Sequence, residues 1–173
     1  AMVWTGFMQS APDAAGWTAA IVPLRARLAE FDAFVASTPA PAAPPGSKPD
    51  ARVTELRARV AREQAMRGAL TDPRWTRDLP PLAVAWWMGG YSLRYGVVDC
   101  PNTEWLRQQL AEIGWFDIAT YGEEADGNAW LLVQHADRTP EFQREVLAHL
   151  QGLPQKQTSQ LHAAYLWDRV GRA

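Results

Sequence analysis

At 173 residues, with 47% hydrophobic and 21% charged side chains, the chain is long enough to bury one compact core. Its formal charge of −2 gives no global attraction to nucleic acid or to an anionic membrane surface, and no apolar run approaches the ~20 residues that span a bilayer. Cys100 is the single cysteine, which excludes an intrachain disulfide; with no basic-then-apolar signal segment, the expected location is the cytoplasm.

Trp17, Ile21, Leu24, Leu28, Phe31 and Val35 recur at spacings of 4, 3, 4, 3 and 4, the stripe of a helix that lays one side on a partner. Pro23 predicts that this helix starts or kinks there. From Ser37 the sequence Ser-Thr-Pro-Ala-Pro-Ala-Ala-Pro-Pro-Gly-Ser-Lys-Pro has five prolines and no large apolar group, the composition of an extended linker. The expected organisation is an N-terminal helical segment (1–36), a Pro-rich linker (37–50) and a helical core (51–173).

Val53, Leu56 and Val60 begin a second stripe at 3, 4 spacing, and the same stripe continues by 4 and 3 onto Gln64 and Arg67. Either this helix end drifts to the surface, or Gln64 and Arg67 form one wall of a polar pocket. An inward guanidinium needs a carboxylate, a carbonyl or an anionic ligand. The seven arginines between Arg52 and Arg77 are interspersed with Glu55, Glu63 and Asp72, and Glu55 with Arg59 stands at i,i+4 spacing. That pattern describes a solvated, paired face rather than a nucleic-acid site.

Asp72-Pro73, Leu79-Pro80-Pro81 and Gly89-Gly90 punctuate a tryptophan-rich middle, where Leu82 to Met88 fits a buried helix or a strand. Asn102 then suits the N-cap of a helix with an apolar face of Trp105, Leu106, Leu110 and Ile113, closed by Gly114. A further helix covers Glu123 to His135. Thr139 with Pro140 and Glu141 announces the next, stopped at Gly152, and Ser159 caps a last one whose apolar side is Leu161, Ala164, Tyr165 and Val170. Five or six helices without an alternating strand predict an all-α bundle.

The segment Asn128-Ala-Trp-Leu-Leu-Val-Gln-His-Ala-Asp137 is apolar almost all round yet carries Asn128, Gln134, His135 and Asp137. Polar groups on such a helix must be paired or line a wet pocket. His135 suits general acid–base work, with Asp137 or Asp168 orienting the ring; the plainer alternative is a core histidine satisfied by one hydrogen bond. His149 and His162 fall in amphipathic helices whose polar sides can take them. No His pair at i,i+4 and no Glu-x-x-His occurs, so no metal and no cofactor is expected. Nucleophile-elbow and phosphate-loop signatures are absent too.

The run Asp99-Cys-Pro-Asn102-Thr103-Glu-Trp-Leu106, then Gly114-Trp115, Gly122-Glu-Glu-Ala, and Ala129-Trp130-Leu-Leu-Val-Gln134-His135-Ala136-Asp137 with Phe142-Gln143 resembles a widespread, mainly bacterial family of unknown function. Glu63-Gln64-Ala-Met-Arg67 is similar to that family's Asp-Gln-x-x-Arg element, and Ala164-Tyr165-Leu166-Trp167-Asp168-Arg169 to its Ala-Tyr-Leu-x-Asp-Arg element. The resemblance runs from Val53 to Arg169 and implies a helical domain with a shared polar set: Gln64, Arg67, Asp99, Asn102, Gln134, His135, Asp137, Gln143, Asp168 and Arg169. It implies no established activity.

Two functions are therefore expected. In the first, a pocket built from that set takes a small anionic or carbonyl-containing molecule or a peptide: Arg67 grips it, the amides and Asp99 orient it, and His135 with Asp137 moves a proton. In the second, the polar residues only fix helix packing, and the tryptophan-rich segment Leu79 to Tyr95 offers a surface to a protein partner. A monomer or weak dimer is expected, without nucleic-acid or membrane partners.

Overall fold

The computed structural model describes residues 13–47, 49–154 and 156–171. Asp13 caps the first helix, α1 (Ala14–Ser37), by accepting from the Gly16 amide at 2.8 Å. The helix runs through Pro23 rather than starting there, and it buries Ala20, Leu24, Phe31 and Val35. The described residues between 38 and 47, and residues 49 and 50, carry no helix. Asp50 then caps α2 (Ala51–Gly68), accepting from the amides of Arg52 and Val53. Two short 3₁₀ turns, Ala69–Thr71 and Pro73–Trp75, lead into α3 (Pro81–Ile113).

The sequence reading divided α3 in two, with a break at Gly89-Gly90 and a fresh start at Asn102. The structure corrects this: α3 is a single helix of 33 residues that includes both glycines, Pro101 and Asn102. Gly90 and, further along, Gly96 serve close approach rather than a turn. A Cβ on Gly90 would stand 3.1 Å from Leu28 Cδ1, and one on Gly96 only 2.6 Å from Arg138 Cζ. Gly114, at φ 77°, ends the helix as expected.

The one-turn α4 (Ile118–Tyr121) is capped by Asp117, and α5 (Glu123–Gln134) carries Glu123, Glu124 and Asp126 in its first turn, where the helix dipole favours anions. Pro140 opens α6 (Pro140–Gly152), and α7 (Gln160–Gly171) closes the described chain. Among the described residues the protein is all-helical, with seven α-helices. The last helix departs from its expected face: Leu161 and Tyr165 are exposed, while Leu166, one residue along, is fully buried. No helix of the described residues is long and apolar enough to cross a membrane.

Two apolar clusters share α2 and α3. One gathers Leu56, Leu106, Trp115, Phe116, Val133, Val146 and Leu166 around α5, α6 and α7. The other sits under α1, where the Phe31 ring meets Trp75, Trp87 and Tyr91 at centroid distances of 5.0, 5.5 and 5.7 Å. Along α2 the changeover falls between Leu56 and Met66, and along α3 between Tyr91 and Leu106. Polar side chains fill that interval.

Candidate functional site

The α2 stripe turns inward one residue before the position expected. Glu63 is wholly buried, whereas Gln64 is exposed and reaches back to give its Nε2 hydrogen to Glu63 Oε2. Alternating steps of three and four from Val53 pass through Leu56, Val60, Glu63 and Arg67, so it is the second consecutive step of four, from Val60 to Gln64, that leaves the buried face. Arg67, one turn on, donates through Nε to Glu63 Oε1 and through Nη2 to Asp99 Oδ2 at 2.8 Å. Its guanidinium also lies 4.7 Å above the Tyr95 ring. Arg67 is thus held by two carboxylates and an aromatic face, and does not stand open as the anion grip expected of it.

His135 ends α5, with Nδ1 2.7 Å from Glu63 Oε1. The approach is close but poorly aligned, and it does not make a linear hydrogen bond. Burial, and after it the Arg67 charge, pushes the imidazole down to about 4, against an opposing pull from Asp99 and Asp137. The ring is therefore neutral at neutral pH. Asp99 lies on the other side: burial holds its carboxyl above the usual range despite Arg67, and its Oδ1 is buried without a hydrogen-bond partner.

Asp99 and His135 line one cleft of about 320 Å³ together with Thr103, Arg107 and Arg138. Arg138 rests its guanidinium against the bare backbone of Gly96, and Arg107 stacks over the Phe142 ring at 5.0 Å. The cleft therefore brings together a buried acceptor, a neutral imidazole, two cationic side chains and the Glu104 carboxylate.

The other expected residues lie elsewhere. Asp137 is exposed and accepts both Nε and Nη2 of Arg169 on α7, and the carboxylate in contact with the His135 ring is that of Glu63. Asp168 is exposed on α7. Gln143 is buried and donates to the Val133 and Gln134 carbonyls, closing the C-terminal end of α5 rather than meeting a ligand. Gln134 is buried with its Nε2 unpartnered. Asn102 faces away from His135, into a separate cavity against α1.

The strongest polar network is one the sequence reading did not select. Asp126, buried in α5, accepts from Trp115 Nε1 at 2.7 Å, Thr158 Oγ1 at 2.6 Å and the Ser159 amide at 3.1 Å, with His162 Nδ1 also at 3.1 Å. Burial pushes its carboxyl up, but the hydrogen bonds from His162, Thr158, Trp115 and Ser159 outweigh it and hold it below the usual range. The His162 ring stacks on Trp130 at 4.6 Å, so this histidine is enclosed rather than solvated. The network pins the loop before α7 to α5 and leaves no open position for a ligand. Among the described residues no group of three or more His, Cys, Asp or Glu is placed to hold a metal ion.

No family model, no curated protein and no solved structure matches the chain. The function has to be argued from the cleft itself.

Proposed function

We propose that the His135 cleft binds a small molecule or peptide that carries both an N–H or O–H donor and an anionic or carbonyl group, and that His135 moves a proton in its turnover. The observation that carries this is the unpartnered, buried Asp99 Oδ1 in a cleft lined also by His135, Arg107 and Arg138. A buried acceptor without a partner costs free energy until a donor reaches it, and two guanidinium groups nearby suit a carboxylate or carbonyl at the ligand's other end. Glu63 stands beside Nδ1, on the side that favours a proton there, so Nε2 of the neutral ring is the nitrogen offered as acceptor. Asp137 steadies Arg169 instead of taking part.

The test is a thermal-shift screen with amino acids, dipeptides and small carboxylates on wild type, His135→Ala, Asp99→Asn and Arg138→Ala. Stabilisation in the wild type that disappears in Asp99→Asn and Arg138→Ala supports the cleft, because a binder of the folded state raises apparent stability by mass action. Equal stabilisation of all four proteins refutes it.

A second function, docking to a protein partner, is favoured by the exposed Trp86, Leu93 and Val97, which stand at helical spacing along one side of α3 while Trp87 is buried. We further propose that α1 is a helix tethered by residues 37–50 to a core of 51–173, in a cytoplasmic monomer or weak dimer of the uncharacterised family that the motifs resemble.

A further inference from the structure

We infer that the cavity between α1, α2 and α3 is a second ligand site, separate from the His135 cleft, for an amphipathic monocarboxylate. The cavity holds about 410 Å³, the size of an ordinary small-molecule pocket. Phe31, Val35, Met66 and Val98 give it an apolar floor, and Arg59 with Asn102 forms its polar end.

The hydrogen-bond needs at that end are one-sided. Asn102 is buried; its Oδ1 is taken by Arg59 Nη1 at 3.2 Å, while its Nδ2 has no partner. Arg59 Nε is also buried and unsatisfied, since Glu55 Oε1 stands 2.8 Å away but off its axis. Both open groups are donors, so the missing partner is an acceptor. Charge agrees with this. Arg59, Arg62 and Arg94 meet only Glu55 and Asp32 in the cavity, leaving one positive charge uncompensated. An apolar floor beneath an acceptor-hungry, cationic end describes a carboxylate with a hydrocarbon tail. Phe31 and Val35 come from α1, so such a ligand would also hold that helix against α2 and α3.

The experiment is calorimetric titration of the full chain with octanoate below its micelle-forming range, beside octanol, which has the tail without the charge, and butyrate, which has the charge with little tail. Saturable octanoate binding at one site, with octanol and butyrate at least tenfold weaker, is expected. Asn102→Asp, which replaces the open donor by a like charge, should weaken octanoate tenfold or more, and Val98→Trp, which fills the floor, should abolish it. Should either variant fail to give a native circular dichroism spectrum, Arg62→Glu at the rim takes its place with the same expected tenfold loss. His135→Ala and Asp99→Asn should leave octanoate binding unchanged, which separates this site from the other cleft. Absence of octanoate binding to the wild type, equal binding of octanol, or unchanged binding in every cavity variant would overturn the inference.

Discussion

Glu63 of α2 and His135 at the end of α5 meet in the interior with Oε1 and Nδ1 2.7 Å apart, and Arg67 closes on the same carboxylate oxygen. One buried carboxylate therefore holds the cation on its own helix and the imidazole on another. Removing it leaves the Arg67 guanidinium to Asp99 alone and opens a gap between the two apolar clusters. Glu63→Ala should cost about 3–5 kcal/mol of stability, as expected when one member of a buried ion pair is deleted. His135→Ala should cost less, because the Glu63–Arg67–Asp99 chain survives it. Urea denaturation of both variants checks the order; a Glu63→Ala loss within about 1 kcal/mol would mean that the pair contributes nothing net.

The depressed pKa of His135 makes stability pH-dependent with a definite sign. In the unfolded chain the imidazole takes up a proton near 6.5, whereas in the fold burial and Arg67 hold it down to about 4. Between those values the unfolded chain binds a proton that the native state refuses, so stability is complete above about 6.5 and declines as pH falls toward 4. A window of that width amounts to at most about 3 kcal/mol, reduced by the facing Glu63 carboxylate. Asp99, raised by burial, acts in the opposite direction at the acid end. Denaturation midpoints from pH 7.5 to 4.5 should fall more steeply for the wild type than for His135→Asn. A ring-proton NMR titration of His135 centred near 6.5 would contradict this.

Asp126 and Asp137 belong to the same stretch of chain and should respond very differently to the same substitution. Asp126 accepts from Trp115, Thr158 and Ser159 in the interior, whereas Asp137 pairs with Arg169 in the open. Asp126→Ala should cost about 3 kcal/mol or more, since it leaves buried donors unmatched. Asp137→Ala should cost less than about 1 kcal/mol. Comparable losses in guanidinium chloride would show that the Asp126 network is not the clasp its geometry describes.

What was legible in the sequence was local. The α6 start at Thr139-Pro140, the Gly114 stop and the α1 stripe over Leu24, Phe31 and Val35 all depend on neighbours within two turns, and the structure has them where expected. Gly89-Gly90 misled because tertiary packing overrides glycine's propensity: Leu28 seats against Gly90. On α2 the error was one of phase, which moved the inward polar residue from Gln64 to Glu63. Asp126 gave no signal at all, because Trp115, Thr158 and His162 reach it only through the tertiary fold. Asn102 was selected, but its partner is Arg59 on the α1 side rather than His135.

Gly96 and Arg138 provide a test that touches the His135 cleft without disturbing the core. A Cβ at Gly96 would lie 2.6 Å from Arg138 Cζ, so Gly96→Ala must displace the guanidinium, the mobile end of an exposed side chain. Ala is favoured over Gly inside a helix by roughly 1 kcal/mol, which offsets the lost contact. Stability should therefore stay within about 1 kcal/mol of wild type. The arginine, however, leaves the rim that it shares with Asp99 and His135. Any ligand found for the cleft should bind Gly96→Ala about as weakly as Arg138→Ala, by thermal shift at matched concentrations. Full binding by Gly96→Ala together with loss in Arg138→Ala would show that the arginine acts from another position than the one it occupies against α3.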